Sequence, residues 1–117
     1  MYNKRTVGAE GEQKAIAYLQ ERGYTLLEHN FYCRNGEIDI IAKDEGYLVF
    51  LEVKYRTNVK NGYPEEAVGK RKQKSIIDCA RYYLYKNHYR EETPCRFDVV
   101  VILQDTIRLY KNAFESY

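Results

Sequence analysis

Cysteine is scarce in this chain of 117 residues: Cys33, Cys79 and Cys95 are all there are, and no two form a C-x-x-C pair. An odd, unspaced set excludes a disulfide framework and reads as reduced thiols in a cytoplasmic protein. No apolar run approaches the roughly 20 residues of a membrane span. The opening MYNKRTVGAEGE has no apolar core of a secretory signal, so none is expected. The only histidines, His29 and His88, lie far apart in sequence without zinc spacing, which leaves them structural or surface roles. GAEGEQK lacks the spacing of a phosphate-binding G-x₄-G-K-[ST] loop, and no G-x-S-x-G elbow is present. Repeats, low-complexity segments and long linkers are missing as well.

What is present suits one soluble globular domain spanning 1–117: 44% of residues are hydrophobic and 31% charged. The net charge of +2 is unevenly spread. Residues 54–74 hold seven basic side chains, Lys54, Arg56, Lys60, Lys70, Arg71, Lys72 and Lys74, against Glu65 and Glu66. Such a segment suits a polyanionic partner such as nucleic acid, or else simply a solvated helix start. Thirteen tyrosines give packing surface, and some could stack on unpaired bases.

Periodicity predicts a helix over 8–22 ending before Gly23, with Ala15, Ile16 and Leu19 as its apolar stripe. Glu12, four residues before Ile16, points along that stripe, whereas Glu10 falls on a polar face. A strand is expected within 24–34, then a hairpin over 36–56 turning near Lys43–Gly46. Residues 57–64 read as a loop, and Pro64 as the start of a short helical turn. A longer helix over 70–87 carries Ile76, Ile77, Ala80, Tyr83 and Leu84 at helical spacing, with Cys79 as packing. Strands at 97–103 and 106–111 complete the order α-β-β-β-α-β-β, an α/β fold with a mixed central sheet flanked by helices. Asp98, beside Arg96, reads as a structural ion pair.

The hairpin GEIDIIAKDEGYLVFLEVKYR places Glu37, Asp39, Glu52 and Lys54 among apolar residues. A four-residue turn at 43–46 would set Ala42 opposite Tyr47. It would also put all four charged side chains on one face, with Asp39 and Glu52 as diagonal neighbours about 7–8 Å apart. Two carboxylates so placed could share a cation, and all-oxygen ligands favour Mg²⁺, Mn²⁺ or Ca²⁺ over zinc. Lys54, on the same face, could hold a phosphate oxygen or orient an attacking water. The alternative is an exposed polar face with surface ion pairs.

The pattern Asp39…Glu52-Val53-Lys54 resembles the PD-(D/E)xK signature of restriction-endonuclease-like nucleases. Most closely, the chain resembles the YraN-type family of small bacterial proteins. The likeness runs through Gly11-Glu12, Gly36-Glu37-Ile38-Asp39, Phe50 to Arg56, Lys72-Gln73 and Arg96 to Val100. Ile38 stands where the wider superfamily often has proline. The resemblance implies a restriction-endonuclease-like α-β-β-β-α-β core in a single nuclease domain. It implies that Asp39 and Glu52 bind Mg²⁺ (or Mn²⁺), that Glu12 completes the acidic cluster, and that Lys54 is catalytic. Glu37 and Gln73 would border the site. Arg56, Lys70, Arg71, Lys72 and Lys74 are expected to bind the DNA backbone without reading sequence. The expected function is metal-dependent hydrolysis of DNA phosphodiesters in repair, recombination or uptake, on branched or single-stranded DNA. Resolvase-like relatives imply a homodimer. The other function carried forward is a non-catalytic or partner-dependent nucleic-acid-binding module of the same fold.

Overall fold

The computed structural model describes residues 4–34, 36–56, 68–104 and 106–115, with side chains from residue 10 onward. The elements are α1 (Lys4–Glu21), β1 (Thr25–Cys33), β2 (Gly36–Asp44), β3 (Tyr47–Arg56), α2 (Lys70–Lys86), β4 (Cys95–Leu103) and β5 (Thr106–Phe114). They form one five-stranded sheet in the order β1-β2-β3-β4-β5. β3 and β4 run parallel and the other neighbours antiparallel. A parallel pair needs a long crossover, and α2 lies within it. This is the mixed, helix-flanked sheet expected from the sequence. The loop at 57–64 and the helical turn at Pro64 fall outside the described residues.

Each helix seals one face of the sheet. Alternation along β3 sends Val49, Leu51 and Val53 to one side, where they meet Ala15, Ile16 and Leu19 of α1, together with Ile40, Val100 and Ile102. Leu48 and Phe50 go to the other side, against Ile76, Cys79, Ala80 and Tyr83 of α2, with Phe97, Val99 and Val101. Fully burying each large apolar side chain contributes about 1.5–3 kcal/mol. Cys79 is buried in that packing. α1 stops where its sequence says it should. Gly23 donates to the Gln20 carbonyl (3.1 Å) and Tyr24 to that of Leu19 (3.0 Å), a paired closure of the last turn. α1 begins four residues earlier than the apolar stripe predicts.

The hairpin corrects one expectation. Its turn holds two residues, with Asp44 paired to Tyr47 and Ala42 to Val49. Glu45 (φ 50) and Gly46 (φ 85) are both left-handed, which is the turn whose twist matches the flanking strands. The register therefore moves by two residues from the four-residue loop expected, which preserves parity. Asp39 comes level with Glu52 instead of diagonal to it.

Candidate active site

The β2–β3 ladder ends at Ile40–Leu51, and the strands fork there. Instead of a backbone carbonyl, the Asp39 carboxylate accepts the next amide: Val53 N–H donates to Asp39 Oδ2 at 2.8 Å. On the other side of β2, the residue standing between the His29–Ile40 and Phe31–Ile38 pairs is Asn30, itself left-handed (φ 54). Strand alternation breaks at this point. Ile40 packs on the α1 side while Ile38 packs with Ile41 on the α2 side. Glu37 is therefore not carried onto the Asp39 face by parity, as the sequence suggested. It pairs in register with Tyr32 of β1.

Asp39 and Glu52 are both buried, at 9% and 6% exposure. Burial drives the Asp39 carboxyl above its usual range; the Val53 amide opposes this and the Glu12 charge adds to it. Glu52 is pushed up to about 7, first by burial and then by repulsion from Asp39, with Lys72 and Lys54 pulling the other way. Glu52 Oε1 lies 3.5 Å from Lys54 Nζ and 3.8 Å from Lys72 Nζ. Among the described residues, Glu52 Oε2 is buried with no hydrogen-bond partner. An unpartnered buried carboxylate oxygen costs about 1–3 kcal/mol or more, so this atom is where the site is incomplete.

The other expected residues lie on α1, β3 and the first turns of α2. Glu12 is half-buried on α1 and acts on Asp39 through its charge. Among the described residues, no three carboxylate, histidine or cysteine side chains gather into a ready-made metal cage. Gln73 Nε2 donates to the Val68 carbonyl at 2.8 Å and so braces the start of α2. Arg56 Nη1 donates to the Tyr55 carbonyl at 3.1 Å. Lys70, Arg71 and Lys74 are exposed on the first turns of α2, which has no acidic residue in its first turn and no side-chain cap. Cations at a helix N-terminus oppose the macrodipole, so this cluster is not there for helix stability. Lys72, expected on the DNA backbone, reaches inward to Glu52.

Sequence reasoning missed two tyrosines. A Cβ on Gly11 would overlap the Tyr55 hydroxyl, so glycine lets that ring lodge against α1, one residue from Glu12. Burial, then the charges of Glu12 and Asp39, raise the Tyr55 hydroxyl's pKa. The Tyr32 hydroxyl is raised chiefly by Glu37, with smaller contributions from burial, a Glu37 hydrogen bond, Glu12 and Asp39. Pairing register was the missing signal for Tyr32, and helix-to-strand contact for Tyr55.

A second buried acidic group occupies the turn end of the hairpin. Asp98 accepts from Arg96 Nε and Nη2 (both 2.9 Å), the Tyr24 hydroxyl (2.8 Å) and the Asn112 amide (2.9 Å). Arg96 Nη2 also donates to Asp44 Oδ2 at 2.7 Å, which Lys111 reaches at 3.2 Å. Asp98 is thus the structural ion pair expected of it.

Comparison with known proteins agrees with the sequence pattern. The profile of the uncharacterised protein family UPF0102, the YraN-type family, matches residues 11–102. A UPF0102 protein of Lachnoclostridium phytofermentans is 56% identical over 115 residues, covering 98% of each chain. One from Clostridioides difficile is 46% identical over 114 residues, covering 96% of this chain and 99% of its own. One from Persephonella marina is 44% identical over 108 residues, covering 92% of each.

Proposed function

The chain belongs to the UPF0102 family, and from that premise we propose that it is a metal-dependent nuclease acting on DNA phosphodiester bonds. The observation that carries the reading is the unpartnered, buried Glu52 Oε2 beside Asp39. Two adjacent buried carboxylates repel each other unless a proton or a cation is present. The donor set fits Mg²⁺ or Mn²⁺: both ligands are carboxylates, and Oε2 has an acceptor position to give. Asp39 and Glu52 would hold the ion, and Glu12 would add charge directly or through water. When bound, the ion would polarise a phosphoryl oxygen and lower the pKa of a coordinated water.

The rest falls to the chain's own side chains. Lys54, half-exposed beside Glu52, orients the attacking water or neutralises charge developing on the phosphorus oxygens. Lys72 does the same from α2. Val53 N–H fixes the orientation of the Asp39 carboxylate. Lys70, Arg71 and Lys74, with Arg56, hold the phosphodiester backbone on either side, without reading bases. The setting that follows is DNA repair, recombination or uptake in the cytoplasm.

One observation favours a binding module without turnover. Lys54 and Lys72 both approach Glu52 Oε1, and two ammonium groups can neutralise a carboxylate without any metal. A single assay separates the readings. Full-length protein is incubated with single-stranded, duplex and branched DNA in Mg²⁺ or Mn²⁺, alongside Asp39→Asn and Lys54→Ala. The nuclease reading expects cleavage of at least one substrate by wild type alone. Salt-sensitive binding by all three proteins, with no product from any, would leave only the module.

A further inference from the structure

Between the edge strand β1 and α2 lies a cleft of about 470 Å³, lined by Tyr32, Cys33, Arg34, Asp78 and Tyr82. Its volume falls in the range of small-ligand sites. Two of its walls are aromatic rings that the fold leaves open. Tyr32, at the end of β1, is 68% exposed, and Tyr82, on α2, is 47% exposed. Tyr82 packs against Phe31 with ring centroids 6.1 Å apart, and its exposed part lines the cleft, where a flat group could stack on it. Neither ring is needed to fill the core. Exposed aromatic rings near a cationic side chain are a usual means of holding unpaired bases, and Arg34 is that cation here.

The polar groups narrow the occupant. Arg34 and Asp78 are both exposed at the rim. A guanidinium can pair with a phosphate or stack on a base, and a carboxylate can accept from an exocyclic amino group. Tyr32 also links the cleft to β2, the strand that carries Asp39. Tyr32 pairs in register with Glu37, two residues or about 7 Å along the strand from Asp39. Its hydroxyl feels the charges of Glu37, Glu12 and Asp39. Whatever stacks on Tyr32 therefore lies within electrostatic reach of Glu12 and Asp39.

We propose that the cleft between Tyr32 and Tyr82 is a seat for an unpaired nucleobase, which holds a single-stranded or splayed strand of DNA beside Asp39 and Glu52. This rests on the nuclease reading for its purpose and names that enzyme's substrate class: DNA with an unpaired nucleotide at or next to the scissile phosphate. An intact duplex, whose bases are stacked inside, cannot fill the seat without extruding one.

The test uses the full chain in EDTA, so that binding is read without turnover. The probes are an oligonucleotide carrying one 2-aminopurine and the same oligonucleotide in a duplex. Wild type is expected to quench 2-aminopurine in the single strand. Tyr32→Ala and Tyr82→Ala should each lose that quenching and bind the single strand about tenfold more weakly, with duplex affinity unchanged. Tyr32→Phe and Tyr82→Phe, which keep the rings, should behave as wild type. Equal losses for single strand and duplex, or no loss for either, would overturn the seat. Asp39→Asn separates the two readings, because it should abolish cleavage and keep the quenching. If wild type cuts no DNA while the ring-dependent quenching persists, the nuclease reading falls and the seat stands. If wild type cuts and the alanine variants still quench, the seat falls and the nuclease reading stands.

Discussion

Two buried pairs of acids adjoin the hairpin, one joining Asp44 at its turn to Asp98 of the neighbouring β4, the other at its fork, and the two are built on opposite principles. At the turn end, Asp44 and Asp98 surround Arg96, and Asp98 alone accepts four hydrogen bonds. Burial works to raise the Asp44 carboxyl, but hydrogen bonds from Arg96 and Lys111 and their charges overcome it and hold it below its usual range. At the fork end, Asp39 and Glu52 are neighbours with two half-exposed lysines beside Glu52, and one Glu52 oxygen has no partner among the described residues. The first group is electrostatically closed and stabilises the fold. The second holds its counter-charge more loosely, and it lies where the strands part. Burial is similar in the two places; what differs is how closely the protein holds the counter-charge, by hydrogen bonds of 2.7 and 2.9 Å from Arg96 at one and by lysines at 3.5 and 3.8 Å at the other.

Breaking the closed group should have the largest effect on stability. Asp98→Ala leaves Arg96 buried with only part of its counter-charge, and chemical denaturation should show a loss of about 3–5 kcal/mol. Asp39→Asn should do the reverse. Denaturation of the metal-free protein should show little loss, while cleavage falls by at least about a hundredfold in a gel assay.

Acidity should act on the two ends with opposite signs. Glu52 titrates near 4.5 unfolded and at about 7 folded, so the folded state binds the extra proton between those values. Its ionisation therefore lowers stability as pH rises from about 4.5 to 7. Glu52→Gln removes that cost. It should stabilise the metal-free protein by about 1–3 kcal/mol at pH 8 and by almost nothing at pH 4. Asp44, with its depressed pKa, contributes stability that is present above the unfolded value of 3.8 and lost as pH falls through the folded one. Asp44→Asn should therefore narrow its gap from wild type as the medium is acidified below about 4, read in melts across that range. The smallest effect should come from Lys72→Met. Removing one ammonium should raise the Glu52 titration further, visible by carboxyl NMR, and cost no more than about 1 kcal/mol of stability.

Much of this was legible in the chain. Apolar periodicity gave both helices, because Ala15, Ile16 and Leu19, and Ile76, Ala80 and Tyr83, all face the sheet. Parity was enough to bring Asp39 and Glu52 together even though the turn was read two residues too long, since a shift of two leaves faces unchanged. The break in alternation at Ile38 was not legible. It depends on Asn30 across the ladder and on Asp39 taking the Val53 amide, which are contacts between strands. Lys72 was visible as part of a basic run, but its reach to Glu52 depends on where the crossover helix docks. Tyr32 and Tyr82 were two of thirteen tyrosines, and nothing local marks them off from those that fill the core.

The most direct test of the account is calorimetric titration of Mn²⁺ into metal-free wild type, Glu52→Gln and Asp98→Asn at pH 8, with no DNA present. Binding by wild type and Asp98→Asn, together with its loss in Glu52→Gln, is the predicted result. Equal binding by wild type and Glu52→Gln, or none by wild type, would contradict the claim that the fork end of the hairpin is built to receive a cation.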